Sequence, residues 1–437
     1  MKSLLSKTAC ASVAALIALS TANAENSFQE ASQHIDLDGP FIAYLDFDGD
    51  GQAIGEKLNV IYQDFAAANP DVPPFPLDFP VIFEALGFGS LRAWALSSSE
   101  LDDGLVRNKS VSLLDGAPKG LMALNQGEPI AFDLAKSAPA DAATVISGNL
   151  NLLGVQEMLQ ELAGVVMGPM GDGMLQQGLS QPIPGSDVLA GELITALSGR
   201  IDLILGQDFS NLQNPKTMVW TRFADAGALV KRLEPALLPM QISFVDTKDG
   251  RTANLSHLVQ DLPIGLFVHL PKGSDDLVLY TDEDWVSAFA EAEVLAESEA
   301  FQRVASKLPA KAQFYGYSGG FDLEPVMSML ETQNELAQFA PLIRSVADLV
   351  VGDLLKPSAN ATYLAENALV TEMYSEYSYK DILVAVPAGI GAGFGVAGAI
   401  KASLEQQNQA QQSWSEDEAT EPSVAPVLPS VPPVLEE

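Results

Sequence analysis

Residues Leu308–Phe339 read LPAKAQFYGYSGGFDLEPVMSMLETQNELAQF. They run from a Leu-Pro step through an alternating segment and a glycine pair to apolar residues at helical spacing. The alternation predicts a strand, the glycines predict a turn, and Asp322 is placed to cap an amphipathic helix. Looser copies of this strand–turn–helix unit begin at Pro40, Pro139 and Pro215.

The four units begin at uneven intervals, which argues against a solenoid because a solenoid needs a fixed short period. Further strands neighbour one another in sequence, as at Leu91–Leu96 and Leu105–Leu114. This irregular mixture favours an α+β fold with largely antiparallel sheets packed by amphipathic helices. We expect an N-terminal domain over residues 25–205 and a C-terminal domain over residues 206–380.

The N-terminus has the features of a secretory signal. Lys2 and Lys7 supply the positive region, and Ala11–Leu19 supply the apolar core. Ala22-Asn23-Ala24 matches the small-residue cleavage site, so residues 1–24 are predicted to be a signal peptide. The sequence therefore predicts export to the periplasm or cell envelope.

The mature chain is strongly acidic and lacks cysteine. Loss of Lys2 and Lys7 lowers the 23 Lys and Arg to 21, against 57 Asp and Glu, a formal charge of −36. A phosphate-binding surface needs a basic patch, so the composition argues against nucleic-acid binding. An exported chain without cysteine has no disulfide and must be held by its core.

Two segments are predicted to lie outside packed structure. Glu25–Gly39, which contains His34, Asp36 and Asp38, is polar and is expected to be a flexible arm. Gly164–Asp187 is rich in Gly, Met and Pro, which predicts a mobile loop. Its methionines offer adaptable apolar contacts or are ordinary loop residues, and both interpretations stay open. They are Met167, Met170 and Met174.

Two further local predictions can be checked directly. Gly120–Leu124 has the short apolar pattern of a strand. Apolar residues at helical spacing after the first predicted strand indicate a helix with one core-facing side. They are Ile54, Leu58, Ile61 and Phe65.

The C-terminal part contains an apolar run, Ile382–Ile400 (ILVAVPAGIGAGFGVAGAI), with no charged residue. At ~1.5 Å per residue a helix of this length spans about 28 Å, close to the thickness of a bilayer core. Residues 382–400 are therefore predicted to be a transmembrane helix that tethers the protein. The alternative is a buried hairpin rich in Gly and Ala. Residues 401–437 are acidic and Pro-rich, which predicts a disordered tail.

The unit at Leu308–Phe339 also contains the clearest catalytic motif. Gly316-Tyr317-Ser318-Gly319-Gly320 matches the G-x-S-x-G turn of serine hydrolases. In that class the histidine follows the serine, whereas His34, His257 and His269 all precede Ser318. A glycine turn is favoured. A hydrolase that uses Ser318, or a pair of carboxylates, is kept as an alternative.

A second motif resembles the start of a calcium loop. Asp46, Asp48 and Asp50 alternate and are followed by Gly51, but the twelfth position, normally Glu, is Lys57. The pattern favours a turn with acids at a helix N-terminus. A calcium-dependent binding module is kept as a further alternative.

Two stretches, Tyr280–Leu323 (YTDEDWVSAFAEAEVLAESEAFQRVASKLPAKAQFYGYSGGFDL) and Ser137–Leu153 (SAPADAATVISGNLNLL), carry a family resemblance. The chain resembles a family of uncharacterised bacterial exported proteins that repeats Leu-Pro-Ala-Asp-Ala, strand, turn and helix. The resemblance covers Pro40–Ser375. It implies an envelope location and an α+β fold, and it supplies no catalytic residue and no ligand.

Taken together, the sequence predicts an exported envelope protein with a non-enzymatic binding or scaffolding ectodomain. The predicted partners are a membrane, through residues 382–400, and an unidentified protein or other envelope component. No catalytic residue, cofactor or metal ligand is assigned from the sequence.

Overall fold

The computed structural model describes residues 24–69, 77–209, 216–259, 264–332 and 337–385. Within these residues, thirteen strands form a single sheet in which all neighbouring strands are antiparallel. The predicted α+β class with antiparallel pairing is confirmed. The strands are β1 (Phe41–Asp46), β2 (Leu91–Glu100), β3 (Val106–Leu114), β4 (Thr144–Leu150), β5 (Gly199–Asp208), β6 (Lys216–Phe223), β7 (Val245–Asp246), β8 (Gly250–Asn254), β9 (Phe267–Pro271), β10 (Leu277–Tyr280), β11 (Phe314–Ser318), β12 (Ser358–Ala365) and β13 (Ala368–Ser375).

The order of the strands differs from their order along the chain. Across the sheet it is β1-β2-β3-β13-β12-β11-β4-β5-β6-β10-β9-β8-β7. The last three strands of the chain therefore lie between β3 and β4. The predicted domain boundary at residues 205 and 206 falls within β5, and strands from both sides of it pair in the same sheet. That boundary does not coincide with a break in the sheet.

The main core lies on one face of the sheet, which we call face A. Directly paired residues share a face because side chains alternate along each strand. One row of buried or partly buried apolar side chains crosses six adjacent strands, and helical segments cover it. In order across the sheet the row contains Tyr374, Ala359, Tyr317, Val145, Ile204 and Trp220.

The neighbouring row on face A contains a buried carboxylate. Asp202 on β5 is fully buried. Ser147 Oγ donates a hydrogen bond to it, and Arg222 Nε donates another at 2.9 Å. Ser147, Asp202 and Arg222 are direct partners on β4, β5 and β6. The ion pair thus links three central strands through side chains as well as through the backbone.

Nine of the helices fall into two groups. One group packs on face A, where residues of α1, α8 and α9 join the buried clusters. In the other group, α2 to α7, each helix contacts the next, and α6 and α7 pack on the opposite face of the sheet. The helices are α1 (Ala24–Ala31), α2 (Asp50–Ala68), α3 (Phe79–Ala85), α4 (Leu152–Met167), α5 (Pro169–Leu179), α6 (Ala190–Leu197), α7 (Gly227–Leu237), α8 (Glu283–Ala288), α9 (Glu299–Ala305), α10 (Glu324–Thr332) and α11 (Ala340–Val351).

The prediction of a flexible N-terminal arm is wrong. Residues 24–31 form α1, and Ala31 and Ile35 are buried against face A at β2 and β3. Asp36 then forms ion pairs with Arg107 at 2.7 Å and Lys109 at 3.1 Å. The segment is ordered because its few apolar and acidic side chains find partners on strands far away in sequence.

The prediction of a mobile loop at Gly164–Asp187 is also wrong. Most of the segment is helical, in α4 and α5, and the two helices are joined only by Gly168. Gly168 has a φ of 67°, which breaks the helix, and α5 then begins at Pro169. Proline is tolerated at a first helical position because its missing N–H would have no partner there.

Gly120–Leu124 does not form the predicted strand. Gly120–Gln126 is a 3₁₀ helix that starts at Gly120, whose φ is 57°. A Cβ at Gly120 would lie 2.3 Å from the carbonyl oxygen of Leu86, so the backbone approach itself requires glycine. The close contact places the segment against α3 rather than beside another strand.

The chain divides into two compact units. The first comprises Met1–Pro325 and Gly352–Val384 and contains the whole sheet. The second comprises Val326–Val351 and Ala385–Glu437, and its described part includes α11.

Several sequence predictions fall outside the described residues. They concern the signal peptide up to residue 23, residues 386–400 of the predicted tether, and the tail at 401–437. In the described ranges, no helix has the length and apolar character that crossing a membrane requires. Of the predicted C-terminal apolar helix only residues 382–385 are described; these are helical, but they are too few to support a spanning helix.

Replacing Asp202 by Ala should destabilise the protein by about 3 kcal/mol, since it leaves Arg222 without its main partner. The matched control is Asp187→Ala, because Asp187 pairs with Arg232 on the surface and Arg232 keeps Glu192. Asp187→Ala should lower the free energy of unfolding by less than about 1 kcal/mol. Urea unfolding followed by circular dichroism measures both, and equal losses would contradict the role given to Asp202.

The attachment of α1 should weaken in acid. Arg92 donates a 2.7 Å hydrogen bond to Glu30, which lowers the pKa of Glu30 below its usual value of 4.5. Because the folded pKa is the lower one, this contact adds stability above about pH 4.5. The added stability is lost as the pH falls through the folded pKa.

Hydrogen exchange of the amides at 27–38 should therefore accelerate on acidification, beyond its intrinsic dependence on pH. In Glu30→Gln the part of this response that comes from Glu30 should be absent. An unchanged response in the variant would show that Glu30 does not hold the segment.

Candidate functional site

The glycine turn after β11 is explained by close packing. Gly320 has a φ of 87°, and a Cβ there would lie 2.3 Å from the carbonyl oxygen of Leu355. A Cβ at Gly319 would lie 2.9 Å from the carbonyl oxygen of Ala142. Asp322 accepts a 2.9 Å hydrogen bond from the Glu324 amide, at the start of α10. The predicted turn and the capping role of Asp322 are confirmed.

The structure does not bring a histidine to Ser318. Ser318 Oγ accepts a weak hydrogen bond from the Gly320 amide at 3.4 Å. His269 lies on β9, five strands away from β11, which is about 24 Å at ~4.8 Å per strand. His269 contacts Thr252, and burial lowers the pKa of its imidazole. A base for a serine nucleophile is not assembled here.

The other two histidines also have local positions. His257 lies in a 3₁₀ turn between β8 and β9, where its Nε2 is 2.9 Å from the Met240 carbonyl oxygen. His34 lies in the turn after α1. Both segments are separate from the β11 turn, so neither residue completes a catalytic group with Ser318.

The three aspartates of the calcium motif form a turn. Asp46 Oδ1 accepts a 3.1 Å hydrogen bond from the Asp48 amide, and α2 begins at Asp50. Across the described part of the chain, no three His, Cys, Asp or Glu side chains are grouped so that they could hold a metal ion. The motif thus gives local turn geometry rather than a gathered set of ligands.

An open cleft of about 500 Å³ lies beside the β11 turn. Asp141, Gln207 and Asp322 lie at its rim and are exposed. Lys356 also lines the cleft, but its Nζ is 2.8 Å from Glu376. The cleft is wide and its carboxylates face water, so it does not provide the buried acid that glycoside hydrolysis needs.

A cluster of charged residues that the sequence did not predict lies on face A below α1. It contains Asp36, Arg107, Lys109 and Glu372, and Glu372 accepts a 2.8 Å hydrogen bond from Tyr363. Burial, together with the nearby Glu372 carboxylate, raises the pKa of Tyr374 to about 12. The tyrosines stay neutral and donate to Glu372. The charges are mutually satisfied, so the cluster reads as structural.

A further feature of the described residues is a set of exposed apolar side chains on the helices α2, α4 and α5, which we call the apolar surface. On α2, only part of the predicted core-facing side is covered: Ile54 and Leu58 are half-buried, but Ile61 is 62% exposed and Phe65 is 53% exposed. The neighbouring Val60 is exposed as well. Exposed apolar groups of this size mark interaction surfaces in soluble proteins.

The larger part of this surface lies on the helix pair α4–α5. The base of the pair is fixed, because Asn151 caps α4 and the Leu152 amide donates to Ser198 at 3.1 Å. Met158 is buried in the fold. Towards the connecting residue Gly168 the apolar side chains become exposed, and Met170 is 71% exposed. The exposed apolar residues of the pair are Leu153, Leu159, Val166, Met167, Met170 and Met174.

The surroundings of the pair are open. Cβ atoms built at Gly164, Gly168, Gly173 or Gly178 would meet no other atom within 4 Å. The two helices nevertheless touch closely, since a Cβ at Gly171 would clash with the backbone of Ala163. The sequence left open whether the methionines make adaptable contacts or are ordinary loop residues, and it could not show that a helix pair presents them.

Comparison of the chain with family models, with curated proteins and with solved structures found no match. The geometry of the described residues is therefore the basis for proposing a function.

Ser318→Ala should be neutral for reactivity towards a fluorophosphonate probe, because no base activates the hydroxyl. The wild-type chain should show no labelling above that of the variant. The free energy of unfolding of the variant should also lie within about 1 kcal/mol of the wild-type value, since the variant loses one weak hydrogen bond. Labelling of the wild type that disappears in the variant would instead support a serine hydrolase.

Proposed function

We propose that the protein is exported and acts at the cell envelope as a non-enzymatic binding or scaffolding protein. The observation that carries this proposal is the exposed apolar surface on α2, α4 and α5. In the part of the chain that is described, large apolar side chains of these three helices are exposed to solvent.

The sheet suits such a role because it makes a rigid support. Its core crosses six strands, and the buried ion pair of Asp202 joins three of them. Each of the strands β1, β4, β6 and β11 is followed by a turn and a helix. We infer that these four strand–turn–helix units are variants of one building block, as the sequence resemblance to exported proteins also implies.

We further propose that residues 382–400 tether the protein to a membrane. The charge-free sequence is the main support. Leu383 and Val384, at the beginning of this run, are exposed, with 56% of Leu383 accessible.

The tether can be tested in the full chain by placing charges in the apolar run. Ile390→Arg combined with Val396→Arg should release the protein from the membrane fraction after an alkaline wash. Each Arg at the centre of a spanning helix costs about 2.5–3.5 kcal/mol.

The matched control, Ile390→Leu combined with Val396→Leu, keeps the apolar character and should leave the protein in the pellet. Recovery of the wild-type chain in the soluble fraction would show that residues 382–400 do not tether it.

A further inference from the structure

The apolar surface is most exposed where α4 and α5 meet. From Ala163 to Gly171 the sequence AGVVMGPMG carries no charge. Val166, Met167 and Met170 are exposed within this stretch, and Met174 follows one turn later. Methionine side chains are flexible and adapt to irregular apolar surroundings. This uncharged end of the α4–α5 pair is called the pair turn below.

The pair turn is convex rather than concave. Met170 exposes most of its side chain, and the neighbouring glycines face open space. A convex apolar end needs an occupant that can close around it. A lipid bilayer can do so without a preformed shape, whereas a protein partner would need a complementary apolar cavity. The shape therefore favours the edge of a bilayer.

The charges of the α4–α5 pair favour a zwitterionic bilayer over an anionic one. Leu152–Leu179 contains no Lys or Arg, and its charged side chains, Glu157, Glu161 and Asp172, are all exposed. Helices that bind anionic lipid carry basic residues on their polar side. A zwitterionic headgroup instead presents a cationic ammonium group at the water side, where it can meet these carboxylates.

We propose that the pair turn inserts into a zwitterionic bilayer surface, with Met167, Met170 and Met174 among the acyl chains. The inference rests on the proposed function, since it names the partner of the apolar surface. It is independent of the tether, because the pair and residues 382–400 are different parts of the chain. Together they would hold the ectodomain at two points.

The test places one fluorophore on the pair turn of the full chain. Cys10 is the only cysteine, so Cys10→Ser with Met170→Cys gives a single site for an environment-sensitive dye. With vesicles of phosphatidylcholine and phosphatidylethanolamine, the emission should shift to the blue, and bromine atoms on the acyl chains should quench it. The matched control carries the dye at Val245→Cys, which is exposed on β7 outside the apolar surface, and its emission should not shift.

Replacing part of the zwitterionic lipid by phosphatidylglycerol should reduce the shift at position 170. An equal or larger shift on the anionic vesicles would overturn the choice of lipid. Similar shifts at positions 245 and 170 would show general adsorption and overturn insertion by the pair turn. A shift that appears without vesicles and grows with protein concentration would identify a second copy as the occupant.

The outcomes for the tether and for the pair turn can be told apart. A dye at position 170 that stays water-exposed on vesicles that retain the protein would overturn insertion and leave the tether intact. Suppose that the dye at position 170 inserts, but that an alkaline wash removes the same chain, with residues 382–400 unaltered, from membranes. This result would support the pair turn and reject the tether.

Discussion

The structure depends on the burial of one row of side chains across the middle of the sheet. Tyr317, Val145 and Ile204 occupy the centre of this row, and the covering segments add Trp285 and Phe301. Each buried aliphatic or aromatic side chain contributes about 1.5–3 kcal/mol relative to an exposed one. With no cysteine after Cys10, this burial and the antiparallel ladder hold the fold without a disulfide.

The two groups of helices have different consequences for function. The segments on face A complete the core, and even the N-terminal residues 27–38 are held there by apolar contacts and by Asp36. In the other group, α4 is fixed at its base near Ser198 but exposes apolar residues towards Gly168. A rigid sheet that carries a helix pair with one fixed end and one exposed end can present an adaptable surface without loss of stability.

The sequence was sufficient for the elements whose pattern is local. Alternation predicted β1, β4, β6 and β11, and the helix after each of them follows from apolar spacing and from caps such as Asp322. Prediction from the sequence failed where contacts with residues far away in the chain determine the local structure. Nothing near Asp36 indicates that it will pair with Arg107 and Lys109, so the segment looked like a free arm.

The candidate surface was predictable only in part. The composition of Gly164–Asp187 resembles a loop, because Gly and Pro are poor helix formers in isolation. Here Pro169 occupies the one helical position that tolerates it, and Gly171 permits the close contact with Ala163. The helical spacing of Ile61 and Phe65 predicted a helix correctly, but spacing alone does not say which apolar side a fold leaves uncovered.

The strand order has a consequence for the time course of folding. Leu113 on β3 pairs with Ala368, and Val145 on β4 pairs with Tyr317, so the middle of the sheet cannot close until the last strands have arrived. Contacts of such long sequence separation form slowly. A chain threaded N-terminus first through a secretion channel would remain open during most of its passage. For the export proposed above, the topology would delay completion of the fold until after transport.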